Sequence, residues 1–185
     1  PAPPGQPPFP PIGPDTCAWM TAASASSRYS SVCNKGSSQH ECEVYGAPDV
    51  APSCADQAGA WSPASSSSTP ETLVVSWGSL LEIHRIHVYE TNSAPFVTKI
   101  EVLFQGQATT FWQGTDTTAC GSSLEATRIA SPILGDAVRV TTAVSGYEQI
   151  DAVQVCGQVA LYPPAPPPSS PAPPASPPPC TAKLD

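Results

Sequence analysis

The run IHRIHVYE, residues 83–90, alternates apolar and polar side chains through its second half. Successive side chains of a β-strand point to opposite faces of a sheet, so Ile86 and Val88 share one face. A half-buried strand is the expected structure. The same phase carries Glu90 onto the face of Ile86 and Val88, at the strand's end. That is an unusual place for a carboxylate.

Working outward, further short β-prone runs follow the same rule in whole or in part: LVVSW (73–77), KIEVLF (99–104), AVRVTT (137–142) and IDAVQV (150–155). Clusters of Gly, Pro, Ser and Asn separate them, in SPASSSSTPE, TNSAP, QGQ and SGYE. Short alternating strands between turn signals, with no stripe of period 3.6, predict an all-β protein, an antiparallel sandwich or barrel. Thr21 to Tyr29 is the one stretch that could form a helical turn, and its serine content works against it.

In IDAVQV the phase groups Asp151 with Val153 and Val155, so a second carboxylate points inward at a strand end. A buried carboxylate must find donors, a basic group or a metal ion. Three readings stay open for Glu90 and Asp151. One is hydrogen bonding to a neighbouring loop, locking strand to corner. The others are a calcium site and contact with a bound ligand. No cofactor is expected, a structural calcium ion at these carboxylates aside. His84 and His87 stand three apart, which on a strand puts them on opposite faces, so they do not form a metal pair without a bulge. They are expected as exposed strand residues, and His40 stands alone in a loop flanked by cysteines.

The prolines divide the chain. Eight of the 25 lie in residues 1–14 and eleven in 163–179, leaving six for the body between. That body, 15–162, has the length of one domain with a core of its own. A formal net charge of −8 argues against nucleic acid or an anionic membrane surface as partner. No apolar run reaches the roughly 18 residues of a membrane helix, so none is expected to insert in this segment. The opening PAPPGQPPFPPIGP reads as a piece of a longer chain. Seven cysteines without a CxxC pair, the nearest two being Cys33 and Cys42, fit disulfides better than zinc, and disulfides predict an oxidising, extracellular setting. The seventh, Cys180, sits in PPPCTAKLD, which resembles IGPDTCAWM around Cys17. Residues 180–185 are expected to begin a following cysteine-led module, with Cys180 unpaired within this segment. A free thiol and an intermolecular bridge are the other readings.

No catalytic motif is present: no GxSxG elbow, HExxH, phosphate-binding loop or dinucleotide turn. An enzyme is not expected. Trp19, Trp61, Trp77 and Trp112 could stack on sugars if exposed, although such residues more often fill a sandwich core or anchor loops.

Four stretches in order, VYGAPDVAPSCADQAGAWSP (44–63), HVYETNSAPFVTKIEVL (87–103), GTDTTAC (114–120) and EQIDAVQVCG (148–157), resemble the galactose-binding-like, discoidin-type repeat of extracellular proteins. The resemblance spans about residues 28–158. It implies an eight-stranded jelly-roll sandwich serving adhesion or carbohydrate recognition, and it makes Glu90 and Asp151 part of the shared pattern. One departure is the turn after YETN, where such repeats commonly carry glycine and this chain has Ser93-Ala94-Pro95-Phe96. No sugar-site motif carries over. The resemblance also implies a Cys54–Cys120 bridge. Cys33 with Cys42 would then close a local loop, and Cys17 with Cys156 would tie the incoming chain to the last strand. Six cysteines allow fifteen connectivities.

Proline fixes φ and lacks an N–H, so the segments 1–14 and 163–179 are expected as extended polyproline II. At about 3.1 Å per residue, 163–179 would span roughly 50 Å, more than a domain about 30–40 Å across. Ser-Pro tracts beside a disulfide-bonded domain resemble the hydroxyproline-rich glycoproteins of green-algal walls and flagellar surfaces, including mastigonemes. That resemblance implies O-glycosylation at Pro164, Pro166, Pro167, Pro168, Ser169, Ser170, Pro171, Pro173, Pro174, Ser176, Pro177, Pro178 and Pro179. No N-x-S/T sequon occurs. A plain linker is the simpler reading, and a PxxP ligand would need a cytosolic setting. The leading functional expectation is a structural module of such a glycoprotein, with other glycoproteins or copies of itself as partners. The rival is a carbohydrate-binding module, joined by proline-rich linkers, with polysaccharide as partner.

Overall fold

The computed structural model of the chain describes residues 15–66, 69–143 and 146–160. The proline-rich segments 1–14 and 163–179, their glycosylation candidates and Cys180 lie outside them. The described chain holds β1 (Asp15–Trp19), β2 (Ala22–Ala25), a single 3-10 turn (Glu41–Val44), β3 (Glu71–Asn92), β4 (Val97–Phe104), β5 (Gln107–Gln113), β6 (Ser123–Thr127), β7 (Ile133–Thr142) and β8 (Gln149–Val159). Every strand pairing is antiparallel.

The two strands expected at 73–77 and 83–90 are one strand, β3, 22 residues long. Its register breaks between Ser76 and Leu81, where Gly78 takes a left-handed φ of 79°. A bulge of this kind bends a strand and sharpens its twist, which lets it pass from one sheet to another. Before the break β3 pairs with β2 and β7; beyond it β7 continues only to Ile83, and β3 pairs with β8 from Leu81 and with β6 from Arg85. Two layers result, β2–β3–β7–β4–β5 and β1–β8–β3–β6, with β3 as their shared corner. Both ends of β3 return to one end of the sandwich. Thr142 lies opposite Glu71 and Gln149 opposite Asn92, although only the β7–β8 loop separates Thr142 from Gln149.

Between the layers lies a core of Leu73, Val75, Ile83, Ile86, Val88, Ile100, Val138, Val140 and Val155, all without solvent exposure. Each such side chain contributes about 1.5–3 kcal/mol through burial. The inward phase of β3 changes from odd to even numbers between Ile83 and Ile86. His84 is the extra residue there, since Ile83 faces Gly157 and Arg85 faces Cys156.

Thr21–Tyr29 forms no helical turn. Ala22–Ala25 is a strand on the edge of β3, pairing Ala22 with Ser76 and Ala25 with Leu73. The open backbone of β3 supplies partners that a serine-rich helix would lack, and Ala23 and Ala25 pack against the core. Disulfides join Cys17 to Cys156 across β1 and β8, Cys33 to Cys42 within one loop, and Cys54 to Cys120 between two loops. Such bonds belong to the oxidising environment outside the cell.

Candidate functional site

Four loops gather at the end of the sandwich where β3 begins and ends: the long β2–β3 loop, the β3–β4 turn, the β5–β6 loop and the β7–β8 loop. The longest is held by burying its own polar groups. Trp61, fully buried, forms a two-way backbone bridge with Ile150 at 2.8 and 3.1 Å, and its Nε1–H donates to the Ser27 carbonyl at 3.1 Å. Glu43, also fully buried, accepts from the amides of Gly36 (2.6 Å) and Ser38 (2.9 Å) and from the Ser38 hydroxyl (2.6 Å). The loop thus wraps around a carboxylate, which satisfies donors that no sheet reaches.

The fixed loop shapes a cleft of about 640 Å³ lined by Tyr29, Asn34, Ser37, Ser38, Gln39 and Asp56, among others. At its edge Tyr29 is 59% exposed and meets Tyr147, 41% exposed, edge to face with centroids 5.8 Å apart. Gln39 stands at a left-handed φ of 51°, and its Nε2 donates to Asp56 Oδ1 at 2.7 Å. The same oxygen accepts from Nε2 of the buried Gln149 at 2.6 Å, while Gln149 Oε1 accepts from the Gln57 amide at 2.7 Å. The polar groups are therefore pre-positioned from the core outward. Aromatic surface beside fixed amides, hydroxyls and a carboxylate is suited to a polyhydroxylated ligand, whose C–H faces pack on rings while its hydroxyls exchange hydrogen bonds.

The sequence did not single out these tyrosines. The tryptophans are elsewhere: Trp61 and Trp77 are buried, and Trp19 and Trp112 are half-buried, with Trp19 against Tyr89 at 5.9 Å. The available signal was a lone tyrosine inside each of two polar loop stretches, SRYSS and SGYEQ.

Both inward carboxylates lie at this end, and both are buried. Tyr89 faces Ala152 while Glu90 faces Ile150, which leaves Asp151 as the extra residue of a bulge. The bulge turns its carboxylate onto the β2–β3 loop, where it accepts from the amides of Ala51 (2.8 Å), Val50 (3.3 Å) and Asp49 (3.4 Å). Burial raises its pKa and the three amides oppose that rise. Glu90 has no solvent exposure; its carboxyl faces the Phe96 amide, which falls short of full hydrogen-bond geometry, and the carboxyl of Asp116. Burial first, and then the facing carboxyl of Asp116, push it up to about 9. Asp116, in the β5–β6 loop, accepts from the amides of Thr118 (2.8 Å) and Val97 (3.3 Å). The turn between β3 and β4 begins at Ser93, with a left-handed φ of 58° in place of the glycine of similar repeats. The carboxylates of Glu90 and Asp151 thus go to separate partners.

The histidines expected to be exposed are half-buried. His84 packs toward Asp15 at 3.4 Å, and His87 stacks on Tyr89 at 6.3 Å, its pKa lowered chiefly by burial. His40 caps the 3-10 turn by accepting from the Cys42 amide at 3.1 Å. Cys33, His40 and Cys42 cluster tightly, but the two sulfurs are bonded to each other and so cannot act as thiolate ligands.

Among solved structures the chain resembles chitosan-binding module 1 of a chitosanase/glucanase from Paenibacillus sp. IK-5. The TM-score is 0.55 at 20% identity, covering 75% of this chain and 96% of that one. It also resembles the family 32 carbohydrate-binding module of C. perfringens NanJ in complex with galactose (TM-score 0.54, 19% identity, 76% and 99% covered). A third is chitosan-binding module 2 of the same Paenibacillus enzyme in complex with chitotriose (TM-score 0.51, 18% identity, 75% and 97% covered). These likenesses show the fold, an all-β antiparallel sandwich shared with solved carbohydrate-binding modules. No curated protein matches the chain. The family model described as "Pappalysin-1, SD scarf domain, C-terminal" matches residues 17–162. The chain belongs to that family.

Proposed function

We infer that this domain is an extracellular carbohydrate-binding or adhesion module whose ligand occupies the cleft beside Tyr29 and Tyr147. The observation that carries this reading is the exposed tyrosine pair at the rim of a polar cleft whose Gln39 and Asp56 are held by the buried Gln149. Solved modules of the same fold hold galactose and chitotriose, which supports the reading for this chain. The ligand is a neutral or cationic glycan, because the cleft offers a carboxylate and the chain is strongly acidic. The test is a glycan array together with pull-down on insoluble polysaccharides, using the full chain. Saturable binding should weaken about ten-fold or more in Tyr29→Ala and Tyr147→Ala. Retained binding in both variants, or none to any glycan in the wild type, would refute it.

A second reading rests on a different observation, the eleven prolines and interspersed serines of residues 163–179. In it the module belongs to a hydroxyproline-rich glycoprotein of the green-algal wall or flagellar surface, where glycosylated proline rods space sandwich domains that contact other glycoproteins or copies of themselves. Glycopeptide mass analysis of residues 160–180 from the native source tests it. Hydroxyproline carrying pentose chains would support it, and unmodified proline would remove its basis.

A further inference from the structure

The outer face of the layer β1–β8–β3–β6 carries an aromatic surface separate from the cleft. Ala18, Ile86, Val88 and Val155 turn inward to the core, so their neighbours along each strand turn out. Strand pairing sets these in rows: Cys17 and Arg85 share one, Trp19, Gln154 and His87 the next, and Tyr89 stands in the row beyond. Trp19 lies 5.9 Å from Tyr89, and His87 stacks on Tyr89 at 6.3 Å, so three half-buried rings adjoin on this face. Next to Tyr89 is a hollow of about 400 Å³ whose walls include Pro48, Ala51 and Pro52. Rings interleaved with an indole N–H and a carboxamide suit an apolar chain rich in carbonyl acceptors.

Such a chain runs directly into β1: residues 1–14, PAPPGQPPFPPIGP. Its eight prolines lack the N–H groups needed to add a strand to the open edge of β1, which leaves the face of the sheet. Polyproline II repeats every three residues, which would put Gln6, Phe9 and Ile12 on one stripe. Phe9 and Ile12 give that stripe an apolar character that a solvated spacer does not need. Gly13-Pro14, a turn pair, stands immediately before Asp15, where β1 begins. We propose that residues 1–14 reverse at Gly13-Pro14 and lie across this outer face of their own domain, with Phe9 over Gln154 between Trp19 and His87. The lengths agree. At about 3.1 Å per residue, Ile12, Phe9 and Gln6 come roughly 6, 16 and 25 Å back from Pro14. At about 3.3 Å per strand residue, the rows of Cys17, Trp19 and Tyr89 stand roughly 7, 13 and 20 Å from Asp15, with the hollow next to the last. The segment's carbonyls, which polyproline II leaves without internal partners, accept from the Trp19 indole and the Gln154 carboxamide. It carries no charged side chain, so the acidic body does not repel it.

The test is NMR spectroscopy of the full chain, wild type and Phe9→Ser, each at two concentrations. Phe9 precedes the sandwich, so its replacement leaves the sandwich itself intact. The wild type should show nuclear Overhauser contacts from the Phe9 ring to Trp19 and His87, equally strong at both concentrations. The Trp19 indole proton should exchange with solvent at least about ten-fold faster in Phe9→Ser, while the amides around Tyr29 and Tyr147 keep their shifts. Absence of those contacts, or indole exchange that Phe9→Ser leaves unchanged, would overturn the proposal. So would contacts that grow with concentration, which would assign the face to a second copy.

Discussion

Asp151 and Glu90 sit on paired strands, at the same end of the sandwich, equally shut off from water, and their environments are opposites. Asp151 meets a loop that turns three consecutive amides toward it. Glu90 meets a turn that offers only the Phe96 amide, short of full hydrogen-bond geometry, and a loop that brings another carboxyl. Burial alone therefore says little about the role of an acidic side chain; the donors within reach decide it. Where the donors suffice the carboxylate is a fastener, and where they are too few burial and a neighbouring carboxyl raise its pKa instead.

The largest expected effect comes from the bridge shared by both regions. Cys54 follows the loop that caps Asp151, and Cys120 follows Asp116. Replacing the pair with serine opens a loop of 66 residues and should cost about 4 kcal/mol in denaturant unfolding. Next is Asp151→Asn, which turns an NH2 group toward amide donors and should lose about 3 kcal/mol, read as a lower midpoint in urea at unchanged slope. Glu90→Gln should lose under about 1 kcal/mol, because its carboxyl makes no full hydrogen bond that the amide would break. Equal losses in the two variants would break the comparison.

Glu148 stands between the extremes, with one hydroxyl donor and a pKa raised by burial, an effect Glu71 reinforces. A raised folded pKa means the native state keeps its proton longer than the unfolded chain. This contribution to stability is complete below the ordinary glutamate pKa and is lost as pH rises from there through the folded value. Glu148→Gln should flatten that decline in a series of thermal melts across this range. The smallest effect on stability belongs to Tyr29→Ala and Tyr147→Ala, within about 0.5 kcal/mol because both rings are exposed, although these variants should lose glycan binding.

The strands that alternate strongly, such as 83–90 and 137–142, were legible because a half-buried strand writes its two faces into the sequence. The fusion of 73–77 with 83–90 was not, since Gly78-Ser79 reads as a turn and only the sheet shows it to be a bulge within one strand. Strands β1, β2, β5 and β6 are short and rich in Ala, Ser and Thr, and their neighbours' backbones recruit them. The inward phase of Glu90 and Asp151 was readable from Ile86, Val88, Val153 and Val155. Asp116, Tyr29 and Tyr147 were not, because they lie in loops where no period applies.

The sequence by itself determined that this body is all-β and that two carboxylates point inward, since period-two alternation is a local property of the chain. Only the tertiary structure decided which of them is satisfied. The amide that best serves Asp151 belongs to Ala51, 100 residues away, and the carboxyl facing Glu90 arrives on a separate loop. Contacts between distant segments are made by loop shape and strand pairing, which no local pattern encodes.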